Sequence, residues 1–279
     1  MTKAIGLVGV GVMGGAIATR LLADGWAVVV HDIQASRAEA LRTHGAILAA
    51  STSGVARAAS TILILVSDDQ QVLDVIGELR RLRDRMPGKL VVIHSTIDPE
   101  TAKACGEALA PVGIEVVDAA MTGAVEGARR GKLTLMVGGE KQVVASLTDV
   151  FASYAANILH IGPLGTGMTV KICVNLVLHA NRLALYDGLQ LCLAGGVNSE
   201  VFLDAVRSGT ADSWVAQHWT DLDAAILRGG LGDHPLISQM MKDLSIALDV
   251  ADRRGMDAPL ALQALERLPP ILRSGLPDR

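Results

Sequence analysis

The fold class of this chain is decided by the stretch Ile5-Gly6-Leu7-Val8-Gly9-Val10-Gly11-Val12-Met13-Gly14-Gly15. Gly9, Gly11 and Gly14 form a Gly-x-Gly-x-x-Gly pattern between a short apolar segment and a helix-like run over residues 16–23. Gly9 permits a tight turn, Gly11 lets the backbone approach a pyrophosphate closely, and Gly14 lets helix and strand pack closely. The start of such a helix offers unpaired N–H groups and the positive end of the helix dipole to a phosphate. The stretch therefore predicts a strand–turn–helix unit for a dinucleotide.

An acid follows the glycines at the distance that this interpretation requires. A second apolar segment, Ala27–Val30, ends at His31-Asp32, about 20 residues beyond the glycines, where a carboxylate binds the adenosine ribose hydroxyls. Because a carboxylate repels a 2′-phosphate, Asp32 favours NAD, and NADP stays possible through Arg37. The alternative is an ordinary strand–helix turn followed by a solvated Asp32.

Composition excludes several classes of function. The 279 residues carry a net charge of −4 and only 3% aromatic residues, so a nucleic-acid partner is not expected. The three cysteines lie far apart and no Cys/His ligand spacing exists, which predicts neither a metal site nor disulfides and fits a reducing cytoplasm. We identify no secretory signal, and the most hydrophobic long run, 172–194, is too polar for a membrane span.

Apolar segments typical of strands alternate with amphipathic segments up to the glycine-rich turn over residues 162–167. The predicted strands are Ala4–Val8, Ala27–Val30, Ala46–Leu48, Thr61–Val66, Leu90–Ile93, Glu115–Val117, Leu133–Val137 and Ile158–His160. Such alternation favours a parallel, doubly wound sheet, the Rossmann arrangement, with ligands at the carboxyl ends of its strands.

Beyond that turn the pattern contains no convincing strand. Helices are predicted at Thr169–Leu193, Ser199–Ser208, Ser213–Leu227, Ile237–Arg253 and Pro259–Leu268. We therefore predict an α/β chain with a Rossmann domain over residues 1–163 and an all-helical domain over residues 164–279, joined by a long interdomain helix. An apolar helical domain also suggests pairing with copies of itself, in a homodimer or homotetramer.

Two polar residues on the long predicted helix, Lys171 and Asn175, lie one turn apart and share a face. A lysine in an apolar cleft can exchange protons near neutral pH, and an asparagine beside it can orient a hydroxyl. Helical spacing alone leaves open a solvated Lys171 beside a packing Asn175.

A second candidate lies in Met121-Thr122-Gly123-Ala124, a predicted loop before a helical run over residues 125–130. Free N–H groups there suit a substrate carboxylate, with the Thr122 hydroxyl assisting. The alternative is a simple threonine cap followed by a permissive glycine.

Motifs in order along residues 5 to about 250 resemble those of the β-hydroxyacid dehydrogenase family, which includes 3-hydroxyisobutyrate dehydrogenase. Besides the opening glycine stretch, they are His94-Ser95-Thr96-Ile97-Asp98-Pro99, Asp118–Ala124 with Gly131–Gly139, Gly165-Thr166-Gly167-Met168-Thr169-Val170-Lys171-Ile172-Cys173-Val174-Asn175, and Lys242-Asp243-Leu244. The resemblance implies hydride transfer between NAD(H) and the β-carbon of a small carboxylate-bearing 3-hydroxy acid.

The resemblance also implies roles for matching residues. Lys171 would be the general acid/base, assisted by Asn175, and Lys242 would face the nicotinamide. The implied substrate residues are Thr122, Gly123, Ala124, Asn175 and Lys242. The implied cofactor residues are Gly9, Gly11, Val12, Met13, Gly14, Asp32, Val66, Ser67, Ser95, Thr96 and Lys242.

This chain departs from the family at several positions, notably Ala124 in place of a glycine and His94 in place of an acid, and these leave the substrate open. One alternative is an imine reductase-like enzyme of the same fold, although such relatives generally replace the lysine. Another is a non-catalytic NAD(H)-binding sensor.

Overall fold

The computed structural model describes residues 4–82, 88–219 and 221–275. The chain divides into two compact units, the first ending at Lys171 and the second beginning at Ile172. The first combines strands with helices, and the described part of the second is helical, which confirms the predicted fold class. Of the predicted helix Ser213–Leu227, Thr220 lies outside the described residues.

An eight-stranded sheet organises the first unit. Its strands are β1 (Ile5–Val8), β2 (Val28–His31), β3 (Ile47–Leu48), β4 (Thr61–Ile64), β5 (Lys89–Ile93), β6 (Ile114–Thr122), β7 (Leu133–Gly138) and β8 (Ala155–Gly162). Their order in the sheet is β3-β2-β1-β4-β5-β6-β7-β8. The reversal of strand order between β1 and β4 creates the crevice in which doubly wound sheets bind dinucleotides.

Helices connect these strands and cover the sheet. They are α1 (Val12–Ala23), α2 (Ala35–Arg42), α3 (Thr52–Ala58), α4 (Asp69–Arg80), α5 (Pro99–Leu109), α6 (Ala124–Arg129), α7 (Lys141–Ser146) and α8 (Thr148–Ala152), with a 3₁₀ turn at Ala110–Val112. Successive side chains of a strand enter opposite layers, as β4 shows: Leu63 joins one hydrophobic cluster, and Ile62 and Ile64 join the other. Burial on both faces explains why the central strands β1 and β4 are almost wholly apolar.

One pair of strands departs from the predicted parallel arrangement. β7 pairs antiparallel with β6, and β8 runs parallel to β7. The link from Thr122 to Leu133 is shorter than the dozen or so residues of a parallel crossover, so the chain turns back along β6. The antiparallel ladder also lengthens β6 well beyond the predicted Glu115–Val117.

The second unit contains most of a long helix, α9 (Thr166–Ala194), which begins in the first unit. Its other helices are α10 (Ser199–Ser208), α11 (Trp214–Gln217), α12 (Asp221–Ala224), α13 (Pro235–Arg253) and α14 (Pro259–Ser274), with a 3₁₀ turn at Ala225–Arg228. One hydrophobic cluster joins α9, α13 and α14. No helix in the described part of the chain is long and apolar enough to cross a membrane.

Two helix predictions needed correction here. The predicted helix Ser213–Leu227 is interrupted, because His218 leaves helical geometry at φ −113° and ψ 38° after capping α11. The helix predicted at Pro259–Leu268 continues to Ser274 through Pro269 and Pro270. Pro269, Ile271 and Leu272 on this extension are buried, and their packing outweighs the local cost of the two prolines.

Buried polar groups attach α9 to the segment that carries α12. Arg182 Nε donates to Asp223 Oδ1 at 2.8 Å, and the Tyr186 hydroxyl donates to the same oxygen at 2.9 Å. Each of the three residues is buried. Burial of an arginine is tolerated because the carboxylate neutralises it, which explains the charges in this otherwise hydrophobic helix.

Candidate active site

The glycine-rich turn between β1 and α1 has the geometry of a phosphate cradle. Gly9 has a φ of +87°, and a Cβ there would lie 2.5 Å from the Leu65 carbonyl oxygen. A Cβ on Gly14 would lie 2.2 Å from the Gly9 carbonyl oxygen, so α1 packs directly on the turn. A Cβ on Gly11 would meet only Arg37 Nη1, at 3.8 Å. The turn is therefore closed at two glycines and open at the one that should face a pyrophosphate.

The start of α1 completes this cradle. Gly11 is its N-cap and provides no side-chain hydrogen bond, so the first N–H groups stay available to an anion. Val12, the first helical residue, is 74% exposed, whereas Met13 packs partly against the core. The residues present thus fit a bound dinucleotide phosphate.

Asp32 lies next to this turn, immediately after β2. Its carboxylate is buried and accepts hydrogen bonds from the Val10 N–H and the Gln34 N–H, both at 2.8 Å. Asp32 therefore holds the glycine-rich turn in shape, and the second lone pairs of its oxygens are the ones available to a ribose. Ile33 beside it is 87% exposed, and Arg37 Nη1 lies 3.9 Å from Asp32 Oδ1.

The loops after β4 and β5 are joined to each other. The Val66 N–H donates to Ser95 Oγ at 2.9 Å, and the Ser67 N–H donates to Gln71 Oε1 at 3.2 Å. Thr96 follows Ser95 in the same loop after β5. These residues, predicted to contact the cofactor, therefore follow the carboxyl ends of two neighbouring parallel strands.

The predicted substrate loop is more ordered than expected. Met121 and Thr122 are the last residues of β6, paired with Leu135 and Thr134 of β7. Gly123, at φ +120°, makes the turn into α6. Ala124 is the one non-glycine residue with positive φ in the described part of the chain, at +56°. A side chain in this region is strained by about 1–2 kcal/mol, so Ala124 occupies a backbone position suited to glycine.

Asp118 on β6 is a site residue whose role the sequence did not reveal. It is fully buried, and its two oxygens accept hydrogen bonds from the N–H groups of Gly165 and Met168, both at 2.7 Å. Burial raises the pKa of this carboxyl, and hydrogen bonds from backbone N–H groups oppose the rise. Asp118 thus caps the first turn of α9, the helix that carries Lys171.

Two glycines make this cap possible. A Cβ on Gly138 would lie 2.3 Å from Asp118 Oδ1, and one on Gly167 would lie 2.4 Å from the Met136 carbonyl oxygen and 2.7 Å from Asp118 Oδ2. Both glycines therefore serve close packing of α9 on β6 and β7 rather than phosphate binding.

The catalytic candidates lie on α9. Lys171 is half-buried and Asn175, one turn later, is buried. In the second unit, Asn175 Nδ2 donates to Asp243 Oδ2 of α13 at 2.6 Å, and Lys242 Nζ lies 3.6 Å from Asp243 Oδ1. The structure thus joins two predicted site residues, Asn175 and Lys242, through a carboxylate that had been assigned no role.

His94, which stands where the family has an acid, is a core residue. Its Nδ1 donates to the Ala119 carbonyl oxygen at 2.6 Å, and its Nε2 accepts from the Tyr154 hydroxyl at 3.0 Å. A carbonyl only accepts, so these partners require the neutral Nδ1–H tautomer. Burial lowers the pKa of His94 to about 4.

We expect this histidine to make stability depend on pH. The unfolded chain protonates His94 near pH 6.5, whereas the folded chain resists protonation until about pH 4. Stability therefore falls as the pH drops through that window, by up to about 3 kcal/mol from this residue. In urea unfolding, the stability advantage of the natural chain over His94→Gln should shrink from pH 7 to pH 4, whereas the exposed control His44→Gln should track the natural chain. An advantage that stays constant with pH would contradict this account.

The glycine-rich cradle, the acid after β2 and the strand order around β1 and β4 define a nucleotide-binding oxidoreductase of the Rossmann class, with NAD(P) as its cofactor. Family comparison agrees. Residues 4–162 match the family model of the NAD binding domain of 6-phosphogluconate dehydrogenase. Residues 165–279 match the model described as NAD-binding of NADP-dependent 3-hydroxyisobutyrate dehydrogenase. The chain belongs to the β-hydroxyacid dehydrogenase family.

Individual relatives match over nearly the full chain. The NAD-dependent L-serine dehydrogenase of Pseudomonas aeruginosa is 29% identical, over 99% of this chain and 95% of that protein. The structure of Mycobacterium tuberculosis 3-hydroxyisobutyrate dehydrogenase with L-serine superposes with a TM-score of 0.84 at 26% identity, covering 95% of this chain and 92% of the other.

Imine reductases share the fold as well. The imine reductase from a Pseudomonas species has a TM-score of 0.70 at 21% identity, covering 99% of this chain and 97% of the other. Sequence identity this low establishes that the two proteins share a fold, and it does not indicate that they catalyse the same reaction.

Proposed function

We propose that this protein is an NAD-preferring 3-hydroxyacid dehydrogenase in which Lys171 is the general acid/base. The observation that carries the proposal is the fixed start of α9: Asp118 holds the helix by the N–H groups of Gly165 and Met168, and Lys171 follows within the next turn. Lysine anchored in this way on a half-buried helix face can move a proton at a defined position.

The chain's own residues then divide the work. Lys171 takes the hydroxyl proton when the β-carbon is oxidised and returns it when the carbonyl is reduced. Thr122, Gly123 and Ala124 hold the substrate carboxylate, Asn175 orients the hydroxyl, and Lys242 faces the nicotinamide. Bound NAD(P) supplies the hydride acceptor or donor. Fixing the carboxylate holds the alcohol carbon in place, which supplies much of the rate.

Preference for NAD rests on Asp32. Its buried carboxylate beside the cradle opposes a 2′-phosphate, and exposed Ile33 offers an apolar surface to an adenine ring. The side chain of Arg37 is 48% exposed, and it is the group that would bind the 2′-phosphate of NADP.

The test is the change in NADH absorbance with the purified protein. The panel contains L-serine, which is part of the names of the Pseudomonas aeruginosa relative and of the Mycobacterium tuberculosis structure. The other compounds are 3-hydroxyisobutyrate, D-glycerate, threonate, 3-hydroxypropionate and a bulkier aryl 3-hydroxy acid. We expect turnover with at least one compound, faster with NAD than with NADP.

Two other outcomes would replace the proposal. NADPH oxidation with a cyclic imine and none with any hydroxy acid or semialdehyde would make the protein an imine reductase. Tight NADH binding with no turnover on either class would make it a sensor.

We further propose a homo-oligomer in a reducing compartment, the cytoplasm. The three cysteines are free thiols, and α9 exposes Val174, Val177 and Leu191, a surface suited to pairing with a second copy. Light scattering of the purified protein measures its oligomeric state. A monomer at micromolar concentration would contradict the proposed homo-oligomer.

A further inference from the structure

The contact between α9 and α13 determines which atom of Asn175 can serve the reaction. Asn175 Nδ2 donates to Asp243 Oδ2 at 2.6 Å, and the two residues are only 6% and 4% exposed. An ionised carboxylate accepts hydrogen bonds and donates none, so it selects the amine end of the amide. The carbonyl oxygen Oδ1 consequently faces away from Asp243.

We infer that Asp243 is a positioning residue that makes Asn175 a hydrogen-bond acceptor in the reaction, with Oδ1 receiving the substrate hydroxyl. The inference rests on the proposed function. Without Asp243 the amide could turn by 180° and present a donor instead. A short, buried, charge-assisted bond is of the kind that holds one orientation.

Lys242 lies beside the same carboxylate. Its Nζ lies 3.6 Å from Asp243 Oδ1, so opposite oxygens of one carboxylate face Lys242 and Asn175. One buried carboxylate thus lies next to both Asn175 and Lys242, the two residues of this unit that are implied in substrate binding.

An exchange of the two side chains tests the inference. Asn175→Asp alone sets two carboxylates against each other, and we expect kcat/KM to fall about 10²-fold. In Asn175→Asp with Asp243→Asn, the new amide donates to the new carboxylate, whose free oxygen stands where Oδ1 stood. We expect the double variant to recover at least about tenfold in kcat/KM over Asn175→Asp, with most of the gain in kcat. A double variant no better than Asn175→Asp would overturn the acceptor role.

A second measurement is independent of catalysis. The chain has four asparagines, at positions 157, 175, 181 and 198, so ¹⁵N-asparagine labelling gives few side-chain amide signals. The Asn175 amide protons should exchange slowly with solvent, unlike those of exposed Asn181 on the same helix, and Asp243→Ala should make them fast. Fast exchange in the natural chain would also overturn the inference. If the natural protein is inactive on every 3-hydroxy acid but its Asn175 amide protons exchange slowly, the proposed function is wrong and the Asn175–Asp243 contact still stands.

Discussion

Replacing Lys171 with alanine should lower kcat by about 10²–10⁴-fold while NADH binding stays close to that of the natural chain. Proton transfer by a positioned side chain contributes rate factors of this size. The cradle around Gly9, Gly11 and Asp32 lies on other elements, β1, α1 and the end of β2, so its affinity for NADH should be little affected. Stopped-flow kinetics together with NADH fluorescence titration separate the two quantities.

Lys171→Arg distinguishes proton transfer from charge. Arginine keeps a positive charge on the same helix face but stays protonated in proteins, so it cannot accept the hydroxyl proton. We expect this variant to be almost as slow as Lys171→Ala, and exposed Lys141→Ala to match the natural chain. An active Lys171→Arg enzyme would show that the lysine contributes charge alone, and the acid/base role would fall.

Much of the nucleotide-binding half could be predicted because its determinants are local. Gly9, Gly11 and Gly14 act within one turn, and Asp32 follows at the end of the next strand, so spacing along the chain carries the information. The structure adds that Asp32 holds the turn itself, through the Val10 N–H. That bond joins the loops that follow β1 and β2, two segments that are distant in sequence, and it leaves no periodic signal.

The substrate half was harder to predict because its determinants are distant in sequence. Asn175 and Asp243 are 68 residues apart, and Asp118 is 47 residues from Gly165 and 50 from Met168. The usable signal at Asp118 was chemical: a lone acid within the apolar run 116–121 requires buried hydrogen-bond donors. The antiparallel β7 was signalled only by the short link that precedes it.

His94 belongs to a cofactor-side motif but is itself a core residue. Its neighbours Ser95 and Thr96 follow β5 at the ligand edge, but side chains alternate along an extended segment. The His94 ring therefore enters the core, where it contacts Phe151 and Tyr154 edge-on. Alternation could have predicted this orientation, whereas its Ala119 and Tyr154 partners depend on the tertiary fold.

Removing the Asp118 carboxylate should be the most damaging single change to the fold of the first unit. Asp118→Ala leaves the N–H groups of Gly165 and Met168 buried without their acceptors, and each such group costs about 1–3 kcal/mol. We therefore expect the free energy of unfolding to fall by about 2–6 kcal/mol. Asp118→Asn retains one accepting oxygen and should lose less. Exposed Glu115→Gln on the same strand is the matched control and should change stability by less than about 0.5 kcal/mol.

Activity per folded molecule distinguishes a cap from a site residue. If Asp118 positions Lys171 by holding the first turn of α9, then Asp118→Asn, assayed at a temperature where it is fully folded, should lose kcat by about tenfold or more with NADH affinity nearly unchanged. A displacement of about 1 Å at the start of the helix is enough to misplace the ammonium relative to the substrate hydroxyl. Normal kcat in a folded but destabilised Asp118→Asn would limit Asp118 to stability, and the positioning of Lys171 would then have to come from the packing of Gly138 and Gly167.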